Sequence, residues 1–137
     1  MRAIVVEKLG SPHDLLISDR TTELPRAGEV VVDVMTAAVN FADLLVIEGK
    51  YQFRPPLPFI PGKEAAGAVV VLGDGVDGLA IGDRVMVQME HGAFAERIVT
   101  SAKNCFLIPD KMSFDEAAAI GIAYQTAYMA LVERAKI

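Results

Sequence analysis

The chain has 137 residues and one cysteine, Cys105, so it is long enough to bury a core without metal and cannot form a disulfide within itself. A formal charge of −5, with 13 basic residues scattered along the sequence, excludes the positive footprint of a nucleic-acid binder. The opening "MRAIVVEKLG" holds too short an apolar run for a signal peptide or a spanning helix, which with the single cysteine points to the cytoplasm and away from membranes.

In chain order, "RAIVVEK" and "LLISDR" read as short strands, and Pro25 and Gly28 bracket a turn before the Val-rich strand of "EVVVDVMTAAV". "NFADLLVIEGK" predicts a short helix. Asn40 is its N-cap, Asp43 faces its positive end, Leu44 and Ile47 stand at helical spacing, and Gly49 stops it. Pro55, Pro56, Pro58 and Pro61 remove four backbone donors and predict an extended surface loop. "EAAGAVVVLG" is a strand whose internal Gly67 signals a bulge or a close backbone approach.

Asp74-Gly75 and Gly78 mark turns, "IGDRVMVQM" resumes a strand, and "GAFAERIVTSAKNCFLIP" supplies two more. Short strands between frequent turns predict a partly closed β-barrel or sandwich. Ser113 and Glu116 form a capping box for a helix in "FDEAAAIG", and "AYQTAYMALVERAK" is a second helical pattern. Its apolar Tyr128, Leu131 and Val132 have no following strand to pack on, which predicts a partner domain beyond Ile137.

The chemistry-bearing residues are few. His13, His91 and Cys105 are dispersed, too few for a Ser-His-Asp or Cys-His hydrolase; His91, beside Gly92, reads as a loop histidine and His13 as solvated in a turn. Cys105, in "NCFLIP", reads as a buried small hydrophobe. The unusual feature is the charged pair Lys63–Glu64 between Pro61-Gly62 and an apolar strand. A solvated turn accommodates it, and so does a site that uses the charge.

In order and spacing, "AAVNFADLLVIEGKY", "IPGKEAAGAVVVLGDGVDGLAIGDRVMV", "GAFAERIV" and "SFDEAAAIGIAYQTAYMAL" resemble the catalytic domain of the medium-chain dehydrogenase/reductase superfamily, on its zinc-free NADPH:quinone oxidoreductase branch. The resemblance implies a mainly β fold with short helices, a GroES-like partly open β-barrel over residues 1–121. Residues 122–137 would be a connecting helix toward an absent Rossmann domain that binds NADPH. No G-x-G-x-x-G follows a strand in the chain, and "GDGVDG" reads as a hairpin turn.

Where the zinc alcohol dehydrogenases carry a Cys and a His, this chain has Asn40 and Lys63, an amide and an ammonium, so the resemblance implies no metal. It also implies that Asn40, Asp43 and Thr126 line the nicotinamide–ribose side of a cleft, and that Tyr51 with Phe53 forms a wall for a planar acceptor. Capping explains Asn40 and Asp43 equally, an i−4 hydroxyl bond explains Thr126, and packing under the proline loop explains Tyr51. Lys63 pairs with Glu64 or Asp43, donates to the carbonyl oxygen of the acceptor, or snorkels to solvent; Glu64 is expected to be structural. The implied activity is hydride transfer from NADPH to a quinone or α,β-unsaturated carbonyl by a full-length homodimer, the 137-residue chain alone being inactive. The alternatives are a non-catalytic GroES-like binding module and an alcohol dehydrogenase-like enzyme.

Overall fold

The computed structural model describes all residues, 1–137. Its centre is a five-stranded antiparallel sheet of β3 (Glu29–Ala38), β4 (Glu64–Leu72), β5 (Arg84–Gln88), β6 (Arg97–Ser101) and β7 (Cys105–Leu107), in the order β6-β3-β4-β5-β7. A separate two-stranded ribbon, β1 (Arg2–Val5) and β2 (Leu16–Asp19), attaches through single bridges from Ala3 to Ala95 and from Val6 to Phe59. The edges β6 and β7 do not join, so the expected mainly β, GroES-like architecture is an open sheet and not a closed barrel.

Val30, Val32, Val69, Val85 and Val87 fill the core, because β-branched side chains suit a pleated surface. β3 pairs with β4 along most of its length and with β6 over Glu29–Asp33, and its register slips between Val31 and Val32 and again between Val34 and Thr36. The Gly67 signal is thereby explained. Gly67 pairs with Val34 at the second slip, and a Cβ built there would run into the Asp33 carbonyl.

Two helices flank the sheet. α1 (Phe41–Ile47) starts at Asn40 and ends at Gly49, whose φ of 71° suits a residue without Cβ. The proline segment after it is less exposed than expected: Pro55, Phe59 and Pro61 are buried, Phe59 beside Val6, Val46 and Ile47. α2 (Phe114–Tyr128) opens with the Ser113–Glu116 capping box and winds into a π-type turn over Met129–Arg134. The two helical patterns of the sequence are one helix, because Gly121 is an interior residue of α2 and not a stop. α2 lays Ala117 and Ala118 against Ala66 and Met86 of the sheet.

Candidate functional site

The start of α1, the start of β4, the end of β5 and the middle of α2 converge on Glu64, which is 1% exposed. Glu64 is the first residue of β4 and pairs across the sheet with Gln88, the last of β5. Its Oε1 accepts from the Asn40 side-chain amide at 2.8 Å, and its Oε2 accepts from the Ile122 backbone N–H of α2, also at 2.8 Å. This explains Gly121. A Cβ there would stand 2.5 Å from both Glu64 Oε2 and Gln88 Nε2, so only glycine lets the carboxylate reach the helix backbone.

Asn40 therefore sits at the N-cap position but commits its amide to Glu64. Asp43 turns back on the helix start, where its Oδ2 accepts from the Asn40 backbone N–H at 2.8 Å. Its second oxygen, Oδ1, is buried without a partner. Burial pushes the Asp43 carboxyl above its ordinary value of 3.8, against the opposing pull of the Asn40 N–H and of the Lys63 ammonium.

That shift fixes a sign. A carboxyl whose pKa is raised on folding is better tolerated protonated, so its contribution to stability falls as pH climbs from 3.8 through the raised folded value. Asp43→Asn removes the titration. Relative to the wild type, the variant is expected to gain stability as pH rises through that window and to hold the gain above it. Thermal unfolding of both proteins across a pH series checks this, and parallel profiles would refute it.

Lys63, just before β4, is 7% exposed and does not snorkel. Nor does it bond to Glu64 or Asp43. Its Nζ donates to Glu90 Oε2 at 2.9 Å and to the Glu90 carbonyl at 3.1 Å, and it stands 4.8 Å from the centre of the Tyr51 ring. A desolvated ammonium over an aromatic face gains both cation–π attraction and packing. Tyr51 also packs on the cluster of Val6, Val46, Ile47 and Phe59, so the site and the small core under the proline loop share it. Phe53 is separate from this arrangement and stacks on the His91 ring at 5.9 Å.

The structure thus gathers Asn40 and Asp43 about Glu64 and sets Tyr51 beside Lys63, two groups of contacts that meet where Lys63 and Glu64 follow one another at the start of β4. Thr126 is not bonded to them: it lies on α2 one turn beyond Ile122, hence on the same helical face, and is exposed. Glu90, Gln88 and the Ile122 N–H were invisible in the sequence. Gly121 did carry a signal, an isolated glycine inside a helical pattern.

Outside this group, His13 is exposed, as expected. His91 is a loop residue, as expected, and half-buried: it lies against Phe53 and Phe59, and its Nδ1 is buried without a partner. Cys105 is half-buried, and burial pushes its thiol up to about 11, which keeps it protonated and unreactive near neutrality. No helix is long and apolar enough to cross a membrane.

The sequence profile of the alcohol dehydrogenase GroES-like domain matches residues 26–110. The synaptic vesicle membrane protein VAT-1 homolog-like of Mus musculus is 40% identical over 137 residues, covering 100% of this chain and 33% of that protein. A quinone oxidoreductase-like protein 2 homolog of Nematostella vectensis is 41% identical over 138 residues, covering 99% of this chain and 37% of that protein. Among solved structures, the quinone oxidoreductase of Escherichia coli complexed with NADPH superposes with a TM-score of 0.91 at 32% identity, over 98% of this chain and 41% of that one. The chain spans about a third of the length of the curated relatives it matches. It belongs to the alcohol dehydrogenase GroES-like domain family.

Proposed function

We propose that this chain is the catalytic part of a zinc-independent oxidoreductase that passes hydride from NADPH to a quinone or an α,β-unsaturated carbonyl. In this reading residues 1–121 form the catalytic domain and residues 122–137 lead into a cofactor-binding domain. The complete protein works as a cytoplasmic homodimer, and the 137-residue chain alone has no turnover. The observation that carries the reading is the buried Lys63 ammonium, a fixed positive charge beside Tyr51 where a metal would otherwise polarise the acceptor.

Zinc does not fit the donors present. The Asn40 amide already donates to Glu64, the Lys63 nitrogen is bonded to Glu90, and no three His, Cys, Asp or Glu side chains gather to hold a metal ion. A nicotinamide–ribose does fit, because Asp43 Oδ1 is a buried acceptor in need of a hydroxyl or amide donor. Asn40 and Asp43 would hold that end of the cofactor, with Thr126 across the cleft on α2. When bound, the reduced nicotinamide supplies the hydride. Tyr51 offers a face for a planar acceptor, and Lys63 stabilises the negative charge that develops on the acceptor oxygen.

The test is quinone-dependent NADPH oxidation by the full-length polypeptide after dialysis against EDTA, with the 137-residue chain as control. Activity that survives EDTA supports the reading, and activity restored only by zinc, or none, refutes it. Lys63→Met is expected to lower kcat/KM about 100-fold, the usual effect of losing one charge-stabilising donor. An unchanged kcat/KM would remove Lys63 from the mechanism.

A further inference from the structure

An ammonium that gives up a proton must get it back. The Lys63 side chain is 8% exposed and has little direct access to water, whereas the Glu90 side chain bonded to it is 67% exposed. Of the three Nζ protons, two are taken by the Glu90 carboxylate and carbonyl. The third is uncommitted, beside the Tyr51 ring. The other acids near Lys63 have different duties: Asp43 turns to the α1 start, and Glu64 spends both oxygens on Asn40 and Ile122. His91 follows Glu90 in sequence but faces Phe53 and Phe59.

We infer that Glu90 is the positioning residue and proton conduit for Lys63: it holds Nζ beside the Tyr51 ring and returns from water the proton that Lys63 gives to the reduced acceptor. This rests on the reading in which Lys63 serves the acceptor oxygen. Reduction of a quinone to a hydroquinone takes one hydride, from the reduced nicotinamide, which leaves oxidised, and one proton. A Lys63 N–H bond breaks, an O–H bond forms on the acceptor, and Nζ is left as a neutral amine. The Glu90 carboxylate takes a proton from solvent and passes it to that amine, so the net demand is one proton from water per turnover. The backbone half of the contact, through the Glu90 carbonyl, keeps Nζ in place while the carboxyl changes protonation.

The experiment uses the full-length polypeptide in wild-type, Glu90→Gln and Glu90→Asp forms. Without cofactor, exchange of the Lys63 ammonium protons with solvent, followed by 15N NMR, is expected to slow about fivefold in Glu90→Gln, because an amide cannot accept the proton. With NADPH and a benzoquinone, kcat is expected to fall about tenfold with the quinone KM little changed. Glu90→Asp, or formate added to Glu90→Gln, should restore part of the loss. Ammonium exchange in Glu90→Gln as fast as in the wild type, or lost turnover that neither aspartate nor formate restores, would overturn the inference. The two failures are separable: a wild type that does not oxidise NADPH refutes the functional reading, while the exchange rate judges the conduit without any turnover.

Discussion

Gly67→Ala is expected to destabilise the chain by about 4 kcal/mol and to lower its Tm by roughly 15 °C. The cause is a backbone collision and not a lost contact. A Cβ at Gly67 meets the Asp33 carbonyl of β3, with Val32 Cγ1 behind it at 3.1 Å. A side-chain obstacle could rotate away, but a carbonyl moves only with its strand. β3 is pinned on its far side, where Glu29–Asp33 pair with Arg97–Ser101 of β6 and the Arg97 guanidinium bonds the Asp33 carboxylate at 2.5 Å. Relief therefore requires breaking the β3–β4 ladder that encloses Val30, Val32 and Val69. Gly75→Ala is the control. That glycine has φ 70° in an open turn with no atom near its missing Cβ, so the change costs only the left-handed strain, about 1 kcal/mol. Thermal or urea unfolding of both variants decides the matter, and equal losses would show that β3 yields at the bulge.

Gly67 also shows which features a sequence reveals. A glycine inside a Val-rich strand is a local anomaly, and local anomalies have local causes. The strands, the α1 start and stop, and the Ser113–Glu116 cap are of this kind, because each is dictated by neighbours within a few residues. Lys63 was an anomaly too, a charge in apolar surroundings, but its partner was not readable: Glu90 lies 27 positions away with nothing in its own neighbourhood to distinguish it. Gly121 lies between two helical patterns that the structure makes one helix, and its reason was not readable: it is a carboxylate on β4, 57 positions earlier in the chain. The mainly β, partly open GroES-like architecture was legible as well, and it forms as an open sheet. Strand count and turn spacing constrain how many strands exist, but not whether β6 and β7 meet.

Glu64→Ala is expected to cost about 4 kcal/mol, although the carboxylate it removes is buried and burial of a charge is itself unfavourable. The sign depends on what is left behind. Replacing all members of a buried polar group by apolar ones is often neutral, but removing only the acceptor strands its donors. Two donors depend on Glu64: the Asn40 amide and the Ile122 N–H. Each bond to a charged acceptor contributes about 1.5–3 kcal/mol, and the vacated volume adds a cavity penalty. Glu64→Gln keeps the volume yet offers one oxygen where two are needed, so one donor faces an NH2 group; about half the alanine loss is expected. Because Glu64 ties α1 to α2, the effect is also not additive. The cycle with Asn40→Ala should give a coupling of at least about 1 kcal/mol, whereas independent losses would mean that the carboxylate fills space without joining the helices. If Asn40 holds the nicotinamide end of the cofactor, Glu64→Gln in the full-length polypeptide should raise the KM for NADPH more than it lowers kcat. A change confined to kcat would place Glu64 on the acceptor side of the cleft.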